Sequence, residues 1–179
     1  MNITDVIDKY YLPESDSKRI LLTHSRSVAN KALWIAHRHP ELKMDETLLW
    51  DGAMAHDVGI YLTNAPEIGC FGSFPYVCHG YLGADLLRKE GLSPLLARIC
   101  ERHTGAGLSE TEIVTKALPL PHRDLLPVSL EEQVICFSDK FFSKTHLGEE
   151  KSIEKARKSL AKYGEEGVAR FDSWCELFL

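Results

Sequence analysis

Residues 45–59 read Asp45-Glu46-Thr47-Leu48-Leu49-Trp50-Asp51-Gly52-Ala53-Met54-Ala55-His56-Asp57-Val58-Gly59, and this stretch decides the fold. Its spacing predicts a helix from about Asp45 to Val58, stopped by Gly59. Leu49, Ala53 and His56 line the inner face, with Asp57 about 100° further round the same helix. An imidazole and a carboxylate side by side near a helix end can converge on one centre. Gly52 and Ala53 keep the surface small enough for neighbouring helices to approach closely.

Helical periodicity continues in both directions. A short helix over 2–11 ends before Pro13. Ser15 or Ser17 caps a long helix to about His39, whose inner face carries Leu21, His24, Val28, Ala32 and Ile35. After Gly59, residues 59–75 combine glycines and prolines with Tyr61, Phe71 and Phe74. They read as an irregular segment, either a lid or wall over the site or a surface excursion packed by its own aromatics. A helix from Tyr76 to Glu90 aligns His79, Leu82 and Leu86. Ser93-Pro94 opens another that carries His103 and breaks at residues 104–107. Ser109 with Glu112 and Ser129 with Glu132 read as capping boxes. The helix after Ser129 places Ile135, Asp139 and Phe142 one turn apart, beyond an extended, proline-rich stretch at 118–127. Two further helices, 149–163 and 165–178, complete an all-α chain with no convincing strand. A compact helical bundle of roughly 7–9 helices follows, as a single domain over 1–179.

Bulk properties limit the function classes. The chain has 179 residues, 44% hydrophobic and 26% charged, with net charge -5. No basic block argues for nucleic-acid binding. No apolar run reaches the roughly 18 residues that span a bilayer, and the start lacks a signal-peptide core. A cytoplasmic location is therefore expected, with no membrane partner and with a homodimer open. Cys70, Cys78, Cys100, Cys136 and Cys175 form no CxxC pair and leave an odd count. They read as reduced thiols rather than as disulfides or a zinc knuckle.

The chemistry lies in six side chains: His24, His56, Asp57, His79, His103 and Asp139. Taken singly, a histidine on an apolar helical face is ordinary core, and Asp139 could cap or pair with Lys140 or Arg123. Taken together, four histidines and two aspartates facing inward make a costly core unless cations satisfy them. Imidazole and carboxylate suit Fe, Mn, Co, Ni or Zn without thiolates. Six donors exceed what one metal takes while leaving room for water and substrate, so the pattern points to two metals.

The order His24, His56-Asp57, Asp139 resembles the HD-domain superfamily of metal-dependent phosphohydrolases. Ala55-His56-Asp57-Val58-Gly59 is similar to its name-giving motif, and the likeness runs from about residue 20 to 145. His79 and His103 resemble the subset with dinuclear centres, which includes HD-GYP cyclic-dinucleotide phosphodiesterases and symmetrical dinucleoside-tetraphosphate hydrolases. The resemblance implies that His24, His56, Asp57 and Asp139 bind one metal. Asp57 would bridge to a second metal held by His79 and His103. It also implies two divalent ions, Fe or Mn first, with Co, Ni, Zn or Mg compatible, and a metal-bound hydroxide as nucleophile.

Two departures narrow the transfer. Ile60 stands where many HD-GYP proteins carry lysine, and Gly80-Tyr81 is not their GYP element. The same ligand pattern also occurs in HD-type mixed-valent di-iron oxygenases. The leading expectation is hydrolysis of a nucleotide or other small phosphorylated metabolite, with Asp57 and Lys140 as catalytic residues. A di-iron oxygenase and a non-catalytic nucleotide sensor are the alternatives. Lys144, one turn after Lys140, is a second group that could reach a phosphate. Arg102, His122, Arg123 and the glycine turn at 104–107 are weaker candidates.

Overall fold

Seven of the nine α-helices start at a residue whose side chain accepts a hydrogen bond from a first-turn backbone N–H, so local chemistry sets most of the boundaries. The computed structural model describes all residues 1–179. Helices α1 (Ile3–Tyr10), α2 (Asp16–Arg38) and α3 (Glu46–Ala55) follow one another from the N-terminus. The central part holds α4 (His79–Lys89), α5 (Pro94–Glu101) and α6 (Glu110–Thr115). The chain closes with α7 (Leu130–Asp139), α8 (Ile153–Ala161) and α9 (Glu165–Phe178). This is an all-α fold. No helix is long and apolar enough to cross a membrane.

Helix α2 packs along α3 and α7, α4 packs along α5, and α3 also touches α5 and α7. Gly52 makes the three-way contact possible. A Cβ there would fall 2.6 Å from Ile99 Cδ1 and 2.8 Å from Ile135 Cδ1. Two apolar clusters result. One gathers Val28, Ile35, Ala53, Ile135 and Phe137 with the α9 aromatics Phe171, Trp174 and Phe178. The other gathers Val6, Ile7, Leu21, Val58, Leu87 and Cys100. His24 lies between Leu21 of the second cluster and Val28 of the first, and His56 follows Ala53 of the first. The candidate polar centre therefore sits at the junction of the two apolar clusters.

The structure differs from the sequence reading in several local respects. Helix α3 ends at Ala55 rather than near Val58, so His56 and Asp57 occupy the turn that follows it. A 3-10 turn at Tyr76–Cys78 precedes α4, which makes His79 its first residue. The eighth helix starts only at Ile153, after the N-cap Ser152. A two-residue antiparallel ladder pairs β1 (Asn64–Ala65) with β2 (Cys70–Phe71), too short to leave an alternating pattern. Ser109 and Glu112 form the complete capping box. Ser129 caps α7, but Glu132 turns away from it to accept from the Val128 N–H and from Arg98 and Arg102. Tyr61 packs on Tyr10 of α1 and on Tyr11, the residue that follows it, at ring-centroid distances of 5.7 and 5.2 Å. The 59–75 segment thus commits this aromatic to α1. All five cysteines carry free thiols, four of them buried.

Candidate metal centre

Five of the six candidate side chains stand at helix ends, and this position gives the site its order. His56 follows α3, His79 opens α4, His103 comes two residues after α5, and Asp139 closes α7; only His24 is mid-helix. Carbonyl groups near helix ends are not all taken by the helix ladder. The Nδ1 atoms of His56, His79 and His103 each lie 2.6–2.7 Å from the carbonyl oxygen three residues earlier, on Ala53, Tyr76 and Cys100. A nitrogen that close to a carbonyl must be the donor. Nε2 then presents its lone pair inward whenever the ring is neutral, the arrangement that orients metal-binding histidines. His24, whose neighbouring carbonyls serve the helix, lacks this restraint, and its Nδ1 is buried and unpaired.

The inward atoms form two groups that share Asp57. His24, His56, Asp57 and Asp139 make one, and Asp57, His79 and His103 the other; within each, the ligand atoms lie within 4.8 Å of one another. Asp57 Oδ2 faces His56 Nε2 at 3.0 Å and His24 Nε2 at 3.3 Å. Its Oδ1 faces His79 Nε2 and His103 Nε2, each at 3.3 Å. Asp139 Oδ1 lies 2.8 Å from His24 Nε2 and 3.4 Å from His56 Nε2. The structure brings together all six residues singled out in the sequence, every one of them buried.

Buried atoms without hydrogen-bond partners concentrate here. Neither oxygen of Asp57 accepts a hydrogen bond, and His56 Nε2 makes none. Buried polar groups are rarely left this way in native proteins. Divalent cations in the two groups would satisfy these atoms, and the nitrogen and oxygen donors suit Mn, Fe, Co, Ni and Zn. The residues present therefore fit a pair of metal ions.

Electrostatics reinforce the point. Burial disfavours a charged Asp57, yet His56 and Lys144 hold its carboxyl well below the usual range. Asp139 is lowered in the same way, burial being overcome chiefly by Lys140. Burial also works against a charged His56, but the Asp57 and Asp139 carboxylates raise it to about 9. His103, with burial dominant and His56 and His79 adding repulsion, drops to about 3.

Two lysines complete the centre. Lys140 Nζ lies 2.6 Å from Asp139 Oδ2 and donates to the His103 carbonyl at 3.0 Å. Lys144 Nζ lies 2.6 Å from Asp57 Oδ2. The sequence offers Lys140 as a catalytic residue and as a partner of Asp139, the pair the structure forms. It offers Lys144 only as a group within reach of a phosphate, because spacing does not reveal that it meets Asp57. Sequence reasoning missed Tyr76, whose ring stacks on His79 at 4.6 Å and lies 5.8 Å from Lys144 Nζ. Arg102 and Arg123 belong instead to ion pairs with Glu132 and Glu101.

The chain belongs to the HD domain family, whose model matches residues 21–143. That span contains all six clustered residues and Lys140; Lys144 falls just beyond it. An uncharacterised protein of Methanocaldococcus jannaschii is 32% identical over 145 residues, covering 79% of this chain and 78% of that protein. A tRNA (cytidine(56)-2'-O)-methyltransferase of Picrophilus torridus is 30% identical over 132 residues, covering 74% of this chain and 34% of the methyltransferase. Its namesake in Thermoplasma volcanium is 31% identical over 123 residues, covering 69% of this chain and 32% of that protein. This chain thus spans about a third of the length of either methyltransferase, and the activity in their name belongs to those longer proteins. Among solved structures, the HD domain of the L. monocytogenes phosphodiesterase PgpH, in complex with cyclic-di-AMP, aligns with TM-score 0.49 and 19% identity, over 92% of this chain and 84% of that one. Family membership supports metal-dependent phosphohydrolase chemistry in general.

Proposed function

We propose that this protein hydrolyses a phosphoester or phosphoanhydride bond in a nucleotide or other small phosphorylated metabolite, using two divalent metal ions, Mn or Fe first. The observation that carries this reading is the placement of two largely enclosed lysine side chains, Lys140 (11% exposed) and Lys144 (13% exposed), against the two carboxylates of the centre. Two aspartates and two lysines already cancel in charge, so every divalent cation added leaves the centre more positive. An anionic substrate such as a phosphate answers that excess; a neutral one does not. Bound there, the metals would supply a water acidified enough to attack phosphorus, and positive charge for the phosphate oxygens.

The chain's own residues have separable roles in this reading. His24, His56, Asp57 and Asp139 hold one ion, His79 and His103 the other, and Asp57 is common to both. The backbone carbonyls of Ala53, Tyr76 and Cys100 keep three imidazoles aimed inward. Lys140 fixes the outer oxygen of Asp139 and so positions its inner one. Burial excludes bulk water and strengthens the attraction for phosphate.

A panel of nucleotides and phosphorylated metabolites, assayed for released phosphate with Mn or Fe, in air and under anaerobic conditions, tests the reading. Phosphate release without O2 is the expected result. Product formation only with iron and O2 would overturn it in favour of an oxygenase. Ligand-induced thermal stabilisation without turnover would favour a sensor instead.

A further inference from the structure

The two lysines of the centre are not equivalent. Lys140 contacts Asp139 Oδ2, while Oδ1 is the oxygen that faces His24 and His56. The inner oxygen of that carboxylate remains free for a metal. Lys144 instead contacts Asp57 Oδ2, the very oxygen that faces His56 and His24. The other oxygen of Asp57 is engaged toward His79 and His103, so Asp57 has no spare oxygen for an ammonium.

We propose that Lys144 and a metal ion compete for Asp57 Oδ2, and that metal loading frees the Lys144 ammonium to bind the phosphate of the substrate. The inference rests on the two-metal reading of the centre. An ammonium and a divalent cation at one carboxylate oxygen repel each other, most strongly where water is scarce. The contact is an ion pair without hydrogen-bond geometry, since Asp57 Oδ2 accepts no hydrogen bond. Charge is the main attraction, and a stronger charge displaces it.

The surroundings of Lys144 suit such an exchange. It lies between α7 and α8, in a stretch without regular helix or strand. Its long flexible stem lets the ammonium move while the backbone stays in place. Tyr76, whose ring is 5.8 Å from the ammonium, is more than a third exposed and offers it a cation-attracting face. Lys140, by contrast, is tied to both Asp139 and the His103 carbonyl. Lysine serves phosphate as a point charge, which a released Lys144 would supply.

The test measures binding rather than turnover. Mn2+ binding to chelator-treated full-length protein is followed by equilibrium dialysis for wild type and Lys144→Met. One of the two ions is expected to bind about tenfold more tightly in the variant, a change of about 1.4 kcal/mol. Inorganic phosphate, titrated calorimetrically into the Mn-loaded proteins, is expected to bind the variant about tenfold more weakly. Lys144→Gln, which removes the charge but keeps a donor, carries the same expectations if the methionine variant folds poorly. Unchanged or weaker Mn2+ binding in a folded variant overturns the competition, and unchanged phosphate binding overturns the second role. Failure of the wild type to bind Mn2+ at all would instead overturn the metal centre itself.

Discussion

His79 Nε2 and His103 Nε2 face each other across 2.9 Å, and the Nδ1 of each ring is committed to a backbone carbonyl. Two neutral rings held this way oppose lone pair to lone pair, which only a shared cation or proton relieves. His103→Ala is therefore expected to keep one of two metals, because His24, His56, Asp57 and Asp139 remain intact. Asp57→Ala, which removes the residue common to both groups, is expected to lose both. Elemental analysis of the purified proteins checks this, and full retention of two metals in either variant contradicts it.

Metal uptake should release a proton. His56 is raised from 6.5 to about 9 by the carboxylates around it, and a metal requires the neutral ring. Apparent affinity is then expected to climb about tenfold per pH unit until roughly pH 9. For the chelator-treated protein the sign is the reverse. The raised value means that His56 contributes stability fully below pH 6.5 and loses that contribution as pH rises through about 9. Calorimetry in two buffers of different ionisation enthalpy counts the proton, and melts across the same window read the stability.

Lys140→Met tests positioning. The ammonium ties Asp139 Oδ2 to the His103 carbonyl and so links the end of α7 to the end of α5. Losing an outer partner of this kind lowers metal affinity or activity by about 10- to 100-fold in other sites. The expected result is a loss in that range with the α-helical signal retained. Unaltered metal affinity together with unaltered kcat would remove Lys140 from the machinery.

Gly59→Ala acts through the backbone. A Cβ on Gly59 would fall 2.3 Å from the His79 carbonyl oxygen and 2.5 Å from the Gly83 nitrogen. The start of α4 must then retreat, carrying His79 away from Asp57. Overpacking of this kind costs about 1–3 kcal/mol, and the ion between Asp57, His79 and His103 should be the one lost. Denaturant melts and metal content measured on the same preparation test both halves.

Much of this arrangement was legible in the residues. The caps at Ser15, Ser93, Ser109 and Ser129 act within one turn, so local spacing suffices to find them. Inward positions of His24 and Asp139 follow from the 3.6-residue period of α2 and α7. The turn that carries His56 and Asp57 was less legible: a helix that stops at Ala55 and one that runs on to Val58 share the same apolar pattern. Glu132 has capping-box spacing, yet Arg98 and Arg102, distant in sequence, draw its carboxylate away. The helical spacing that puts Lys144 one turn after Lys140 fails because α7 ends at Asp139, and Lys144 lies in the irregular stretch beyond it.

The all-α chain, the six candidate donors and the family likeness are readable from residue order, because helical faces and motif spacing are properties of neighbouring residues. Tertiary structure decided the rest. Which oxygen of Asp57 faces which imidazole, and that Lys140 leaves a ligating oxygen free while Lys144 sits on one, depends on elements far apart in the chain meeting at a single carboxylate. Coulomb energies in a buried site change steeply over an ångström, a scale that residue order alone does not encode.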